Sequence, residues 1–145
     1  MNTRLAVAVI LAISLLAAAC GGDGDATSTP TSPAAQPDAA PVVDQFISAA
    51  NGGDVDRLRA LFAEDARFDR AGALFDGRDD IIDRFLEPDV IDPGGRYRET
   101  GRRVQNGRLV VSFVFDTGSG GQERFTYAFL IRDGRIQEVV GRYAS

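Results

Sequence analysis

The chain has 145 residues, 44% of them hydrophobic, and 16 basic against 21 acidic side chains give it a net charge of −5. It holds no histidine, lysine or tryptophan, which excludes Ser-His-Asp triads, histidine metal sites and Schiff-base lysines. A single cysteine excludes a disulfide within the chain, and the acidic balance argues against nucleic acid as a partner.

Residues 1–20 stand apart from the rest of the chain. Asn2-Thr3-Arg4 is a weakly positive start, and Leu5 to Ala19 is apolar or small except for Ser14. Such a run is too short to cross a bilayer as a helix, and its length suits the apolar part of a secretory signal. It ends in LLAAAC, with Cys20 directly after Ala17-Ala18-Ala19. This resembles the lipobox of bacterial lipoproteins, with Ala17 standing where leucine is commoner. The resemblance implies a signal peptide over residues 1–20, a diacylglycerol on the Cys20 thiol, and a membrane anchor. That anchor would sit on the outer face of the cell membrane, or in an outer membrane where there is one. The plainer reading is an ordinary signal peptide with a leftover cysteine. Residues 21–40, GGDGDATSTPTSPAAQPDAA, carry no aromatic side chain and cannot bury enough surface to offset their ordering entropy. They read as a disordered tether, which leaves residues 41–145 as the globular domain.

PVVDQFISAANGG predicts a helix, with Val43, Phe46, Ile47 and Ala50 on one stripe and Asn51-Gly52-Gly53 as its stop. GDVDRLRALFAED predicts a second helix, capped by Asp54 and burying Val55, Leu58, Leu61 and Phe62. Ala66 to Asp69 and Ala73 to Phe75 then read as short strands joined across Arg70-Ala71-Gly72. RDDIIDRFLEP predicts a third helix with Ile81, Ile82, Phe85 and Leu86 inside, ended by Pro88. The remainder reads as four strands: Arg96 to Val104, Arg108 to Asp116, Gln122 to Arg132 and Arg135 to Tyr143. Asn106-Gly107 and Asp133-Gly134 are tight hairpin turns, and the glycine-rich stretch after Thr117 is a looser one. Phe125, Tyr127, Phe129 and Ile131 share one face, as do Leu109, Val111, Phe113 and Phe115 on the neighbouring strand. Arg96, Arg98, Arg102 and Arg103 on the first of these strands suit the protection of a sheet edge. The expected class is therefore α+β, with helices on one side of a curved, mostly antiparallel sheet.

The order of these fragments resembles the nuclear transport factor 2-like superfamily, which includes SnoaL-like and ketosteroid-isomerase-like domains. The likeness lies in N-G-G-D-V-D, then L-x-x-L-F-A-E-D-A-x-F, then F-D-G-R-D-D-I-I-x-x-F, then four strands, over about residues 42–143. It implies a cone: three N-terminal helices on a strongly bent sheet of about six strands, with an apolar pocket opening at one end. Residues implied around that pocket are Phe46, Phe62, Phe68, Asp69, Arg70, Phe85, Phe113, Tyr127 and Phe129, although the six phenylalanines read more readily as core side chains. The isomerases of that family use a tyrosine on the first helix, a general-base aspartate and an acid on a late strand. Here Phe46, Arg70 and Tyr127 fall at those positions. The constellation for enolisation is thus incomplete.

Glu64 and Asp65 read as turn-forming acids at the end of the second helix. Two readings stand for Asp69: a base or ligand anchor at the pocket mouth, or an exposed or arginine-paired carboxylate. Two also stand for Tyr127, a donor to a ligand carbonyl or a core tyrosine. No spacing suggests a metal or cofactor. The expected function is a membrane-tethered module that holds a small apolar ligand or docks an envelope partner without catalysis. The alternatives are a lyase, isomerase or hydrolase with a rearranged acid set, and a homodimer formed through Val110, Ser112 and Val114 on the outer sheet face.

Overall fold

The computed structural model describes residues 38–144. The expected signal peptide and Cys20 lie outside them, as does the expected tether apart from Asp38, Ala39 and Ala40. Among the described residues, no helix is long and apolar enough to cross a membrane.

Helix α1 spans Ala39–Gly52 and buries Val42, Val43, Phe46, Ala49 and Ala50. It begins ahead of Pro41, which falls in the first turn, where a missing N–H costs nothing. Its end is stopped at Gly53, whose left-handed φ of 69° lets the Gly53 and Asp54 amides bond back to Ala50 and Ala49. Helix α2, Val55–Leu61, is capped by Asp54, whose side chain accepts from the Arg57 amide at 3.0 Å.

The expected continuation of α2 to Asp65 does not occur. Phe62 turns to extended backbone (φ −87°, ψ 143°), and strand β1 runs Phe62–Arg70. Phe62 is fully buried and pairs with Ile136, so sheet pairing and burial override the helical pattern of LRALFAED. Glu64 and Asp65 therefore sit, exposed, within a bulged part of β1 and not at a helix end. Strand β2, Ala73–Asp76, returns from β1 through Ala71-Gly72, both at positive φ.

The third helix also departs from expectation. An α-helical turn, α3 (Arg78–Ile81), widens into a π-helical segment, Ile82–Ile91, that runs past Pro88. Pro88 has no N–H to give to a tight ladder, and the wider coil absorbs it, with the Asp92 amide reaching back to the Glu87 carbonyl. The buried residues Ile82, Phe85, Leu86 and Val90 follow this wider spacing.

Strands β3 (Arg96–Gln105), β4 (Arg108–Asp116), β5 (Gln122–Arg132) and β6 (Arg135–Tyr143) complete a six-stranded sheet in the order β2-β1-β6-β5-β4-β3. All its pairs are antiparallel except β1 with β6. Bulges at Thr100 in β3 and Gln137 in β6 bend the sheet. The helices pack on its concave side, and β3 is an edge carrying the four arginines.

At the centre of the core Phe46 meets Phe62, Tyr97 and Phe129, with ring centroids 6.1, 5.7 and 5.5 Å apart. Phe46→Ala removes all three contacts and leaves a cavity that a bent sheet cannot close. The expected loss is about 3–5 kcal/mol of unfolding free energy by denaturant titration. A loss under about 1 kcal/mol would show that α1 is not the centre of the packing.

Candidate functional site

The inner face of the sheet ends in a cleft with about 360 Å³ of empty space, counting the solvent at its open mouth. Little of that space is enclosed, so the cleft is a half-open recess and not a closed cavity. Its floor comes from the strand register. Glu123 stands opposite Phe115, Phe125 opposite both Phe113 and Tyr143, and Tyr127 opposite Gly141. Glu123, Phe125 and Tyr127 alternate along β5 on this inner face. Arg70 enters from the end of β1, opposite Gly141, and Tyr97 from the start of β3, opposite Phe115. Phe85, Asp89 and Val90 of the π-helical segment form the other wall. Six aromatic residues border the space: Phe85, Tyr97, Phe115, Phe125, Tyr127 and Tyr143.

Tyr97 is held in place by its backbone. The Asn51 side chain, at the end of α1, donates to the Tyr97 carbonyl at 2.9 Å and accepts from the Tyr97 amide at 2.7 Å. It thus occupies the place of a missing neighbour strand at the sheet's edge. The Tyr97 and Tyr127 rings lie against each other, with centroids 6.0 Å apart. Burial is the main reason that both phenols titrate above their ordinary value, so both are protonated donors at neutral pH. Gly141 is a narrow point: a Cβ there would lie 3.0 Å from the Tyr127 ring and 3.1 Å from the Asp69 carbonyl oxygen.

The charges at the mouth are nearly all engaged. Arg70 donates to Asp89 at 2.7 Å, and its guanidinium lies 5.0 Å from the centre of the Phe85 ring. Burial pulls the Arg70 pKa down, but Tyr143, Asp89, Tyr127 and Glu123 outweigh it and raise it overall. Arg142 donates to Asp69 at 2.9 Å and to the Gly141 carbonyl at 2.6 Å.

Of the nine residues expected around the pocket, Arg70, Phe85 and Tyr127 border the cleft. Phe46, Phe62, Phe68, Phe113 and Phe129 are buried among core side chains behind it. Asp69 is turned to the β1–β2 hairpin, where it accepts from the Gly72 amide at 2.6 Å as well as from Arg142. Its carboxyl is thereby held below the usual range, chiefly by the Gly72 amide and then by Arg142. Sequence reading missed Glu123, Tyr97 and Tyr143. The signal for Glu123 was present, because it precedes Phe125 by the same two-residue step that links Phe125 to Tyr127. On the outer face Val110 is buried while Ser112 and Val114 are half-buried. No group of carboxylates fit to hold a metal occurs among the described residues.

A family model described as "SnoaL-like domain" matches residues 43–139. Several solved structures share the fold. A protein from Sphaerobacter thermophilus is 24% identical, with a TM-score of 0.62 over 74% of this chain and 96% of its own. A protein from Sinorhizobium meliloti, named as a candidate polyketide cyclase, is 23% identical, with a TM-score of 0.61 over 70% of this chain and 94% of its own. A protein from Kribbella flavida, named as a candidate ketosteroid isomerase, is 19% identical, with a TM-score of 0.63 over 74% of this chain and 78% of its own. At these identities the likeness is one of fold. No curated protein matches the chain.

The Asp69 turn gives a pH prediction. A carboxyl lowered in the folded state stabilises the fold above its unfolded pKa, and that contribution is lost as pH falls through the folded value. Asp69→Asn is expected to unfold more easily at neutral pH and to differ least from the parent in strong acid. Equal acid-unfolding curves for the two proteins would contradict this.

Proposed function

The chain belongs to the SnoaL-like domain family, and from that footing we propose that it is an exported lipoprotein whose domain holds a small, largely apolar molecule in the cleft without transforming it. The observation that carries this reading is the aromatic wall around an open space at the end of the sheet. Rings of this size bury much apolar area at little cost in side-chain freedom, which suits binding.

The family resemblance also supports binding over enolisation. Such an isomerase needs a base over the substrate and donors at the developing oxyanion. The base position holds Arg70, a cation, and the first-helix tyrosine position holds Phe46 in the core. Asp69, next to the base position, is taken up by Gly72 and Arg142. The Tyr97–Tyr127 pair supplies donors that can orient a ligand oxygen. For the anchor, the support is LLAAAC itself, with the chain's one cysteine at the lipobox position.

Native mass spectrometry of the chain taken from an envelope extract tests both parts. The folded protein is expected to carry a small molecule that denaturation releases. The denatured mass is expected to show an acyl addition that Cys20→Ala abolishes. An empty folded protein would end the binding reading, and an unmodified Cys20 would end the lipoprotein reading.

A further inference from the structure

We propose that the molecule held in this cleft is an organic cation, a quaternary or alkylated ammonium with an apolar body, whose charge lies between Glu123 and the aromatic wall. The inference rests on the binding reading above and adds the chemical class of the ligand.

The balance of charge points to a cation. The charged groups at the mouth are Arg70, Arg142, Asp89 and Glu123, with Asp69 behind Arg142. Arg70 is matched by Asp89 and Arg142 by Asp69. Glu123 makes no salt bridge among the described residues, although it attracts Arg70 through space, and the two arginines against three carboxylates leave the cleft negative on balance. Its place in the β5 alternation, opposite Phe115, puts it on the inner face with Phe125 and Tyr127. Glu123 is half-buried there, within reach of a ligand in the cleft.

The aromatic wall points the same way. The negative face of an aromatic ring attracts cations, and this attraction strengthens where water is excluded. One ring of the cleft already carries a cation, since the Arg70 guanidinium lies 5.0 Å from the Phe85 ring centre. The remaining rings are in mutual contact: Tyr97 with Phe115 at 4.8 Å, Phe125 with Tyr127 at 4.7 Å, and Phe125 with Tyr143 at 6.2 Å. An alkylated nitrogen spreads its charge over apolar carbon and fits such ring faces without needing a hydrogen-bond acceptor for every substituent. An anion could use the free donors of Arg70, but it would then lie beside Glu123 and be repelled.

The protein supplies its own reporter. It has three tyrosines and no tryptophan, and Tyr97, Tyr127 and Tyr143 all border the cleft. Tyrosine emission of the full chain is titrated with acetylcholine, with 3,3-dimethylbutyl acetate (the same shape with carbon in place of the charged nitrogen), and with hexanoate. Acetylcholine is expected to bind about tenfold tighter than the neutral isostere. Glu123→Gln is expected to cut that preference to the smaller part that the rings supply, with the isostere's affinity changing far less than acetylcholine's. In the unaltered chain, added salt is expected to weaken acetylcholine alone, which tests the charge term even if the variant folds poorly. Equal affinities for acetylcholine and the isostere would keep the pocket but overturn the cation assignment. Tightest binding of hexanoate would overturn it in favour of an anion read by Arg70. No change in emission with any probe would overturn this inference together with the binding reading.

Discussion

The structure depends on one packing constraint, the burial of the α1 stripe against the concave side of a bent sheet. Phe46 is the pivot, because it touches α2's successor Phe62, the edge-strand Tyr97 and the central-strand Phe129. A flat sheet could not bring β1, β3 and β5 to one side chain. The bend is therefore as much a consequence of burying Phe46 as a cause of the cleft. Asn51 extends the same constraint to the sheet's edge by bonding both backbone groups of Tyr97. The residue that closes one side of the cleft is thus fixed by the helix that fills the core.

Two close approaches keep the open end in shape. A Cβ at Gly95 would fall 2.4 Å from the Phe115 ring, and one at Gly118 would fall 1.8 Å from the Pro93 carbonyl oxygen. The loop after the π-helical segment and the β4–β5 turn are therefore pressed together, with Phe115 held beneath the first of them. The π-helical widening around Pro88 belongs to the same region. It sets Phe85 and Val90 toward the cleft while leaving Asp89 exposed enough to meet Arg70. The wall of the cleft is thus built from irregular backbone, while its floor is regular sheet.

The regular part was the legible part. Strands β4, β5 and β6 run between the residues that alternation and turn chemistry indicate. Asn106 and Gly107 take the positive φ values of 52° and 72° that their hairpin requires. What stayed illegible depended on partners far along the chain. LRALFAED has a helical pattern throughout, and only pairing of Phe62 with Ile136 pulls its second half into β1. The Gln137 bulge resets the alternation of β6, so that Ile136 and Val139 are both buried although three positions separate them. For the site, the sequence pointed to the apolar column of β5 but not to its meeting with Tyr97 and Tyr143. Those contacts exist only once the sheet is bent and Asn51 has fixed its edge.

The same bend decides the electrostatics of the cleft. Arg70 and Glu123 lie on strands that β6 separates, yet each contributes to the charge environment of the other's neighbours. Their roles differ because their partners differ. Arg70 is matched by Asp89, a residue presented by the widened helix, and stacks on Phe85 from the same helix. Asp89 gives that wall its salt bridge, while Glu123 acts on Arg70 from across the cleft without contact. Glu123 faces it from the sheet, where its nearest ladder partners are Phe115 and, two residues on, Phe125. The phenylalanine rings beside it can neither donate to a carboxylate nor neutralise it. The asymmetry between a salt-bridged wall and a floor whose carboxylate makes no salt bridge is thus a property of the fold, and it is the basis of the proposed preference for a cationic ligand.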